Sequence, residues 1–557
     1  MTNFDPVSLG IMWDRLVSIT DEILIALVNT SFSTNVRESY DLSVVLFDPE
    51  GNSLAQGTYS VPSFTGTAPR TLRHMLDRFP AETLEPGDVI MTNDPWLGTG
   101  HLFDINVMRP AFVGDELVGF TMSITHLPDI GGRGFSATAT EVFEEGLRLP
   151  VSKLSRGGKL NDEVLELIKT NVRVPEQTVG DLMANITCNE VGARLLKEFM
   201  REYRIDDLRP LSRAIIEQSE QALRKKIEEM PDGVYSNEIQ VETTDEPALL
   251  ACRMEIKGDE IQFDFSGTSP AVRAGINVPF CYTAAFAVYA VKCLTIPEIP
   301  NNEGSVRPIT CVAPEGCILN AVPPSPTGGR HIIGHFVNPL VFGALEAAVP
   351  DLVQADSGML NLVNFQGRRP DGRGVSSIFF ASGGFGALKG LDGANAVPSP
   401  SNMTGTPIEV WENLTATTIV KKRLLIDSGG PGRWRGGLGQ ETIIRNDSND
   451  LCTVSTLAGR TEFPPLGIAG GQPGGLRKYW VNDAEVHPKG RYTLRPGDQL
   501  RMVEAGGGGY GPPEERDPAE VLADVEQGYV SPVGALRDYG VRVDLEKGTA
   551  VRSASAD

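Results

Sequence analysis

The chain has 557 residues, too many for one ordinary domain and enough to bury a sizeable core. Its formal net charge of -22 argues against nucleic acid and anionic membrane surfaces as partners, since both would repel it. The 7 cysteines are odd in number and include no Cys-x-x-Cys pair, which fits a reducing compartment better than a disulfide framework.

The opening stretch, MTNFDPVSLGIMWDRL, shows neither a basic leader nor an apolar one, and the most apolar run, 282–291, is too short to span a bilayer. A cytoplasmic protein is expected. Leu9, Met12, Leu16, Ile19, Ile23 and Leu27 recur at spacings of three and four, so residues 7–30 predict a helix with one apolar stripe. SVVLFDPEGNSLAQG reads as a hairpin turning at Asp48-Pro49-Glu50-Gly51-Asn52. DVIMT (88–92) is a short strand running into the glycine-rich loop NDPWLGTG. INVMRPAFV and ELVGFTMSIT are two strands around Gly114-Asp115.

Residues 160–230 turn rich in Leu, Glu, Lys and Arg, and 185–229 should be mostly long helix. From about 235 the pattern alternates, in GVYSNEIQVET and ACRMEIKGDEIQFDFSG, as strands do. An apolar helix is expected over 281–295, then a proline-rich stretch, then glycine-rich segments over 380–410 and 428–440. The tail reads as two short helices with a loose end. The expected fold is a mixed α/β (α+β), multidomain chain. It divides into a metal-binding α/β region (1–160), a helical region (161–234), a β-rich region with glycine loops (235–515) and a helical tail (516–557).

One short pattern is written twice, HLFDI at 101–105 and HLPDI at 126–130, in a chain with 6 histidines. The two copies sit at the outer ends of the 105–125 hairpin, so antiparallel pairing brings them side by side. If Val113 pairs with Glu116, a strict two-residue turn sets Asp104 opposite Thr125 and puts Asp104 and His126 on opposite faces. One bulge residue puts them on the same face. Imidazole and carboxylate are the usual ligands of divalent transition metals, and two His with one or two Asp and an open position make a catalytic site. Such an ion lowers the pKa of a bound water or polarises an oxygen. The plainer alternative is capping aspartates and satisfied histidines.

His331 and His335 in GGRHIIGH have helical i, i+4 spacing, but with no Glu base beside them a buried pair is the simpler reading. His74 and His487 carry no signal. SGGFG, GGPG and GGGGYG could cradle an anion through backbone N–H groups, although such runs are usually turns. Cys281 and Cys317 read as core residues, without electropositive surroundings to activate them. No glycine run ends in Gly-Lys-Ser/Thr, and a dinucleotide-binding fingerprint is missing as well.

Nearly end to end, the chain resembles the hydantoinase B/oxoprolinase family. The resemblance rests on NTSFSTNVRESYDLSVVLFD, TNDPWLGTGHLFDI, THLPDIGG, TEVFEEGLRLP, IQFDFSGTSP, NNEGSVRPIT, TPIEV, SGGPGRWRGGLG and AGGGGYGPPEERDP, in that order. That family holds the B subunits of ATP-dependent N-methylhydantoinase, the matching half of 5-oxoprolinase, caprolactamase β and the corresponding subunits of acetone and acetophenone carboxylases. The resemblance implies a divalent metal, zinc first and manganese or iron otherwise, held by His101, Asp104 and His126 with Asp41 as fourth ligand. Asp129 and Glu141 are then the expected catalytic carboxylates, and Arg37, Asp94, His331 and His335 are expected to face substrate.

It further implies an A-type partner with an actin-like ATPase fold that binds ATP, in an assembly of two A and two B subunits. The partner would phosphorylate the amide or ketone oxygen of a small cyclic amide or ketone. A metal-activated water would then attack the activated carbonyl carbon, or in the carboxylases a carbanion would attack carbon dioxide. A scaffold with a structural metal is the non-enzyme alternative. Two positions depart from the family pattern. Leu127 stands where many members have a second His, and Phe64 where many have a His in an IPVHLG segment.

Overall fold

The computed structural model describes residues 4–369 and 371–552. Helix α1 (Pro6–Thr30) starts at Asp5, whose carboxylate accepts the Val7 and Ser8 amides, and it buries the expected stripe from Leu9 to Leu27. A short helix α2 (Thr34–Arg37) follows, then strands β1 (Leu42–Phe47) and β2 (Ser53–Gln56), helix α3 (Phe64–Arg78) and strand β3 (Val89–Thr92). Strands β4 (Asp104–Val113) and β5 (Glu116–His126) form the long hairpin, and β6 (Ser152–Arg156) and β7 (Lys159–Leu160) complete a seven-stranded sheet ordered β2-β1-β5-β4-β3-β6-β7.

The hairpin settles the register left open by the sequence. Val113 pairs with Glu116 and Phe112 with Leu117; Val118 then bulges out, so Ala111 pairs with Gly119 and Asp104 with His126. The single extra residue restores parity, and the two motifs meet as a directly opposed pair on one face.

Helices α4 (Asp162–Asn171), α5 (Pro175–Tyr203) and α6 (Arg209–Glu228) follow, so 185–229 is mostly long helix as expected, with one break. The break falls where Arg204 adopts a left-handed φ of 54° and Pro210 opens α6. Proline suits a first helical turn, whose N–H groups have no partner within the helix, and not a helix interior. α5 lies on the hairpin through buried amides. Asn185 Nδ2 donates to Thr125 Oγ1 at 2.8 Å, and Asn189 Nδ2 donates to Val107 O at 3.0 Å and Ser123 Oγ at 2.7 Å.

A second sheet joins β8 (Gly233–Val241), β9 (Ala248–Lys257), β10 (Glu260–Asp264) and β11 (Ile309–Val312), with β10 and β11 parallel. The crossover between them contains the apolar helix α7 (Phe280–Thr295), as a parallel connection requires. Short α8 (His331–Gly334) and α9 (Val337–Glu346) follow. The largest apolar core runs from Val45 through Leu182, Phe286 and Leu340 to Leu457, across the expected divisions at 160 and 234.

The C-terminal part holds a four-stranded sheet built on the hairpin β12 (Leu360–Arg368) and β13 (Gly374–Ser382), and a five-stranded sheet. Glycine segments stack backbone on backbone between them. Gly430 N–H donates to Gly507 O at 2.7 Å, Gly437 N–H to Phe385 O at 2.8 Å and Gly508 N–H to Asp356 O at 2.8 Å. A Cβ on Gly386 would stand 1.7 Å from Ala355 O. The amides of Gly383, Gly384, Phe385, Gly430 and residues 506–511 therefore donate to neighbouring carbonyls, and these runs pack backbone on backbone. Through residue 552 the tail is ordered: after helices Pro518–Glu526 and Pro532–Tyr539, strands Val541–Asp544 and Thr549–Arg552 pair, and Arg552 donates to Tyr539 O; the last of the expected loose end lies outside the described residues. No helix among the described residues is long and apolar enough to cross a membrane.

Candidate metal centre

His101 closes the glycine loop before β4, Asp104 is the first residue of β4 and His126 the last of β5. One ligand atom from each lies within 4.8 Å of the others, and all three side chains are buried. The two imidazoles meet edge to face, with ring centres 5.2 Å apart.

The hydrogen bonds fix which nitrogens are free. His101 Nδ1 lies 2.9 Å from Gly328 O. A carbonyl can only accept, so Nδ1 carries the proton and Nε2 presents a lone pair. That lone pair faces Asp104 Oδ1 at 2.9 Å. Burial and the nearby Arg330 charge push His101 below the ordinary imidazole range, so the ring is neutral at pH 7. Two lone-pair atoms at this distance repel each other unless a cation lies between them. Adjacent ligands of one ion, each bonded at about 2.0–2.1 Å, stand about 3 Å apart. His126 repeats the pattern: Nδ1 bonds Leu127 O at 3.0 Å and Nε2 is buried without a partner. Burial, with His101 second, pushes His126 down to about 3. Two imidazole nitrogens and a carboxylate oxygen fit a divalent transition ion.

Around this set the chain is closely built. Arg330 Nη2 donates to Asp104 Oδ2 at 2.7 Å, and Thr99 Oγ1 donates to the same oxygen at 2.8 Å. Burial pushes the Asp104 carboxyl up, but His101 and Arg330 together hold it below the ordinary carboxylate range. Phe103 and Phe135 wall the cluster, their ring centres 5.2 and 5.1 Å from that of His126.

The other expected residues divide. Asp41 stands beside the cluster: its carbonyl accepts the His126 N–H at 3.1 Å, and burial followed by the Asp104 charge raises its carboxyl well above the ordinary range. It lies outside the three-residue group. His331 stacks on Phe135 at 5.6 Å with both ring nitrogens buried and unpartnered. His335 packs against His331 at 5.6 Å and lines a separate cavity of about 340 Å³ with Asn338, Ser357 and Phe385.

Four expected residues are not brought to the cluster. The Asp129 carboxylate is engaged by Arg173 at 2.8 Å and the Gly131 N–H at 3.2 Å, so it anchors the loop. Glu141 is exposed; the buried carboxyl of the TEVFEEG segment is Glu145. Arg37 is exposed at the end of α2. Asp94 pairs with Arg148 at 3.1 Å and accepts the Trp96 N–H, which holds the glycine loop. Arg330, Asn35, Phe135 and Glu145 were not anticipated from the sequence, although GGRHIIGH and TEVFEEG contain two of them.

Fold and site together define a multi-sheet α+β protein with a buried two-histidine, one-aspartate cluster on a central hairpin. The chain belongs to the hydantoinase B/oxoprolinase family, whose model matches residues 5–513. It is 30% identical to the B subunit of a putative D-/L-hydantoinase of Pseudomonas sp. (strain NS671), covering 99% of this chain and 98% of that one. It is 30% identical to the beta subunit of caprolactamase from Pseudomonas jessenii, covering 98% and 97%. The crystal structure of the ATP-dependent caprolactamase from that organism superposes with a TM-score of 0.89 at 27% identity, over 98% of this chain and 97% of that one. Nucleotide-free acetone carboxylase shares the fold, with a TM-score of 0.89 at 19% identity over 98% and 81%.

Proposed function

We propose that this chain is the B-type component of an ATP-dependent enzyme that opens a cyclic amide of the hydantoin, oxoproline or lactam kind. The observation that carries the reading is His101 Nε2 facing Asp104 Oδ1 at 2.9 Å with no proton to share, in a chain of this family. His101, Asp104 and His126 would hold one divalent ion, zinc before manganese or iron, with the buried Asp41 beside them as the candidate fourth ligand. When bound, the ion supplies Lewis-acid chemistry, polarising an oxygen and making water a better nucleophile at neutral pH.

The chain's own groups set the conditions for that chemistry. Gly328 O and Leu127 O fix both imidazoles with Nε2 inward. Arg330 and Thr99 occupy Asp104 Oδ2, so Oδ1 is the oxygen presented. Phe103 and Phe135 exclude bulk water, which strengthens every charge interaction inside. His331, neutral because burial holds it well below its ordinary range, has both ring nitrogens unpartnered and would offer a substrate one N–H donor and one lone pair. Phosphorylation by ATP falls to an A-type partner, in an assembly of two A and two B subunits; the hydantoinase and caprolactamase relatives are themselves named as the B and beta subunits of their enzymes.

Elemental analysis of the purified chain tests the centre. About one divalent ion per chain is expected in the wild type and none in His101→Ala/His126→Ala; equal contents would place the ion elsewhere. With its A-type partner and ATP, the wild type should open one of hydantoin, 5-oxoproline or caprolactam, and the isolated chain should hydrolyse no ATP. ATP-dependent bicarbonate fixation onto a ketone would convert the reading to a ketone carboxylase. A retained ion with neither activity would leave a scaffold.

A further inference from the structure

The 327–330 turn reaches two of the three cluster residues at once. Gly328 O bonds His101 Nδ1 at 2.9 Å. Two residues on, Arg330 donates Nη2 to Asp104 Oδ2 at 2.7 Å and Nε to Thr99 O at 2.8 Å. A displacement of this short turn would therefore move a histidine and an aspartate together.

Glu145 holds the turn from the other side. Its Oε1 accepts the Gly328 N–H at 2.6 Å, and the Thr327 N–H also faces it. Gly328 is thus gripped at its N–H by Glu145 while its carbonyl grips His101. The contact depends on bare backbone: a Cβ on Gly328 or Gly275 would stand 3.1 or 3.2 Å from Oε1. Glu145 is fully enclosed, and its Oε2 is buried without a partner. A half-satisfied buried carboxyl is costly, and a retained cost of that kind marks a position with a task.

We infer that Glu145 is a positioning residue for the divalent ion: by fixing Gly328 it sets the tautomer and aim of His101, and through Arg330 it sets which oxygen of Asp104 is presented. It touches neither ion nor substrate. The inference rests on the metal-centre reading above. Partners behind a ligating imidazole typically change metal affinity by about 10–100-fold when removed.

The test is a titration of the metal-free, full-length chain with Co2+ alone. Visible absorption reads the coordination geometry and far-UV circular dichroism reads the fold. Glu145→Leu, which fills the volume but removes the acceptor, should bind Co2+ about 10–100-fold more weakly than wild type, with an altered band pattern and an unchanged fold. Glu145→Gln keeps an oxygen acceptor and should stay within about threefold of wild type, with the wild-type bands. Wild-type affinity and bands in Glu145→Leu overturn the inference alone. If that variant fails to fold, Gly328→Ala decides, since its methyl would press on Oε1 and shift the turn: weakened Co2+ binding with altered bands supports the inference, and unchanged binding overturns it. A wild type that binds no Co2+ overturns the metal-centre reading and this inference with it.

Discussion

Arg330 is a buried cation whose charge is matched almost entirely by Asp104. Its guanidinium lies 4.3 Å over the Tyr282 ring and bonds the aspartate, and it fits because Gly100, at φ 101°, has no Cβ to meet its Cδ at 2.7 Å. Removing one member of a buried pair strands the other charge, so Arg330→Met should cost the metal-free protein about 3–5 kcal/mol. Arg330→Lys restores the charge without the planar fork and should recover only part of that loss. Urea unfolding in EDTA checks both, and a near-neutral Arg330→Met would mean that Asp104 is not held as an anion. Neither Arg330 nor Glu145 was legible beforehand. Arg330 and Asp104 are 226 positions apart, and spacing cannot tell which of Glu141, Glu144 and Glu145 turns inward. His101, Asp104 and His126 were legible because a repeated pattern fell at the two ends of one hairpin.

At the scale of elements, hairpin pairing followed from its turn, but the face that each motif presents depended on Val118, whose bulge no residue type announces. The helix break at Arg204 was readable through Pro210 and was masked by the surrounding helix formers. Elements also carry residues to the cluster at a distance. Asp181 on α5 accepts the Phe32 N–H at 2.6 Å and the Ser33 N–H at 3.0 Å, which fixes the entry to α2. α2 then places Asn35 at 3.4 Å from His126 Nδ1, and Asp41 follows it. Asp181→Ala would leave two amides unpaired and should destabilise the protein by about 2–4 kcal/mol. Asp181→Asn keeps the acceptor oxygen and should cost less than about 1 kcal/mol. Similar losses in denaturant melts of the two would show that charge, and not the accepted hydrogen bonds, is what matters there.

Over the whole molecule, one core joins the N-terminal sheet, the helices and the sheet carrying β9, so local protonation is felt as global stability. Four buried histidines, His101, His126, His331 and His335, are held below the ordinary range, chiefly by burial, and His335 like His126 lies at about 3. A depressed histidine contributes stability that is complete above its unfolded pKa of about 6.5 and is lost as pH falls through the folded value, because the unfolded chain binds the proton first. Glu145 has the opposite sign. Burial pushes it up to about 8, so its contribution is complete below the unfolded carboxyl value and is lost as pH rises through about 8. In EDTA, the stability of wild type relative to His331→Gln should therefore grow as pH rises toward 6.5 and then level off. Relative to Glu145→Gln it should shrink between pH 5 and 8, by at most about 1.4 kcal/mol per pH unit for one proton. Urea midpoints for the three proteins across pH 5 to 8 measure both slopes at once. Parallel curves would mean that neither His331 nor Glu145 is held away from its ordinary range.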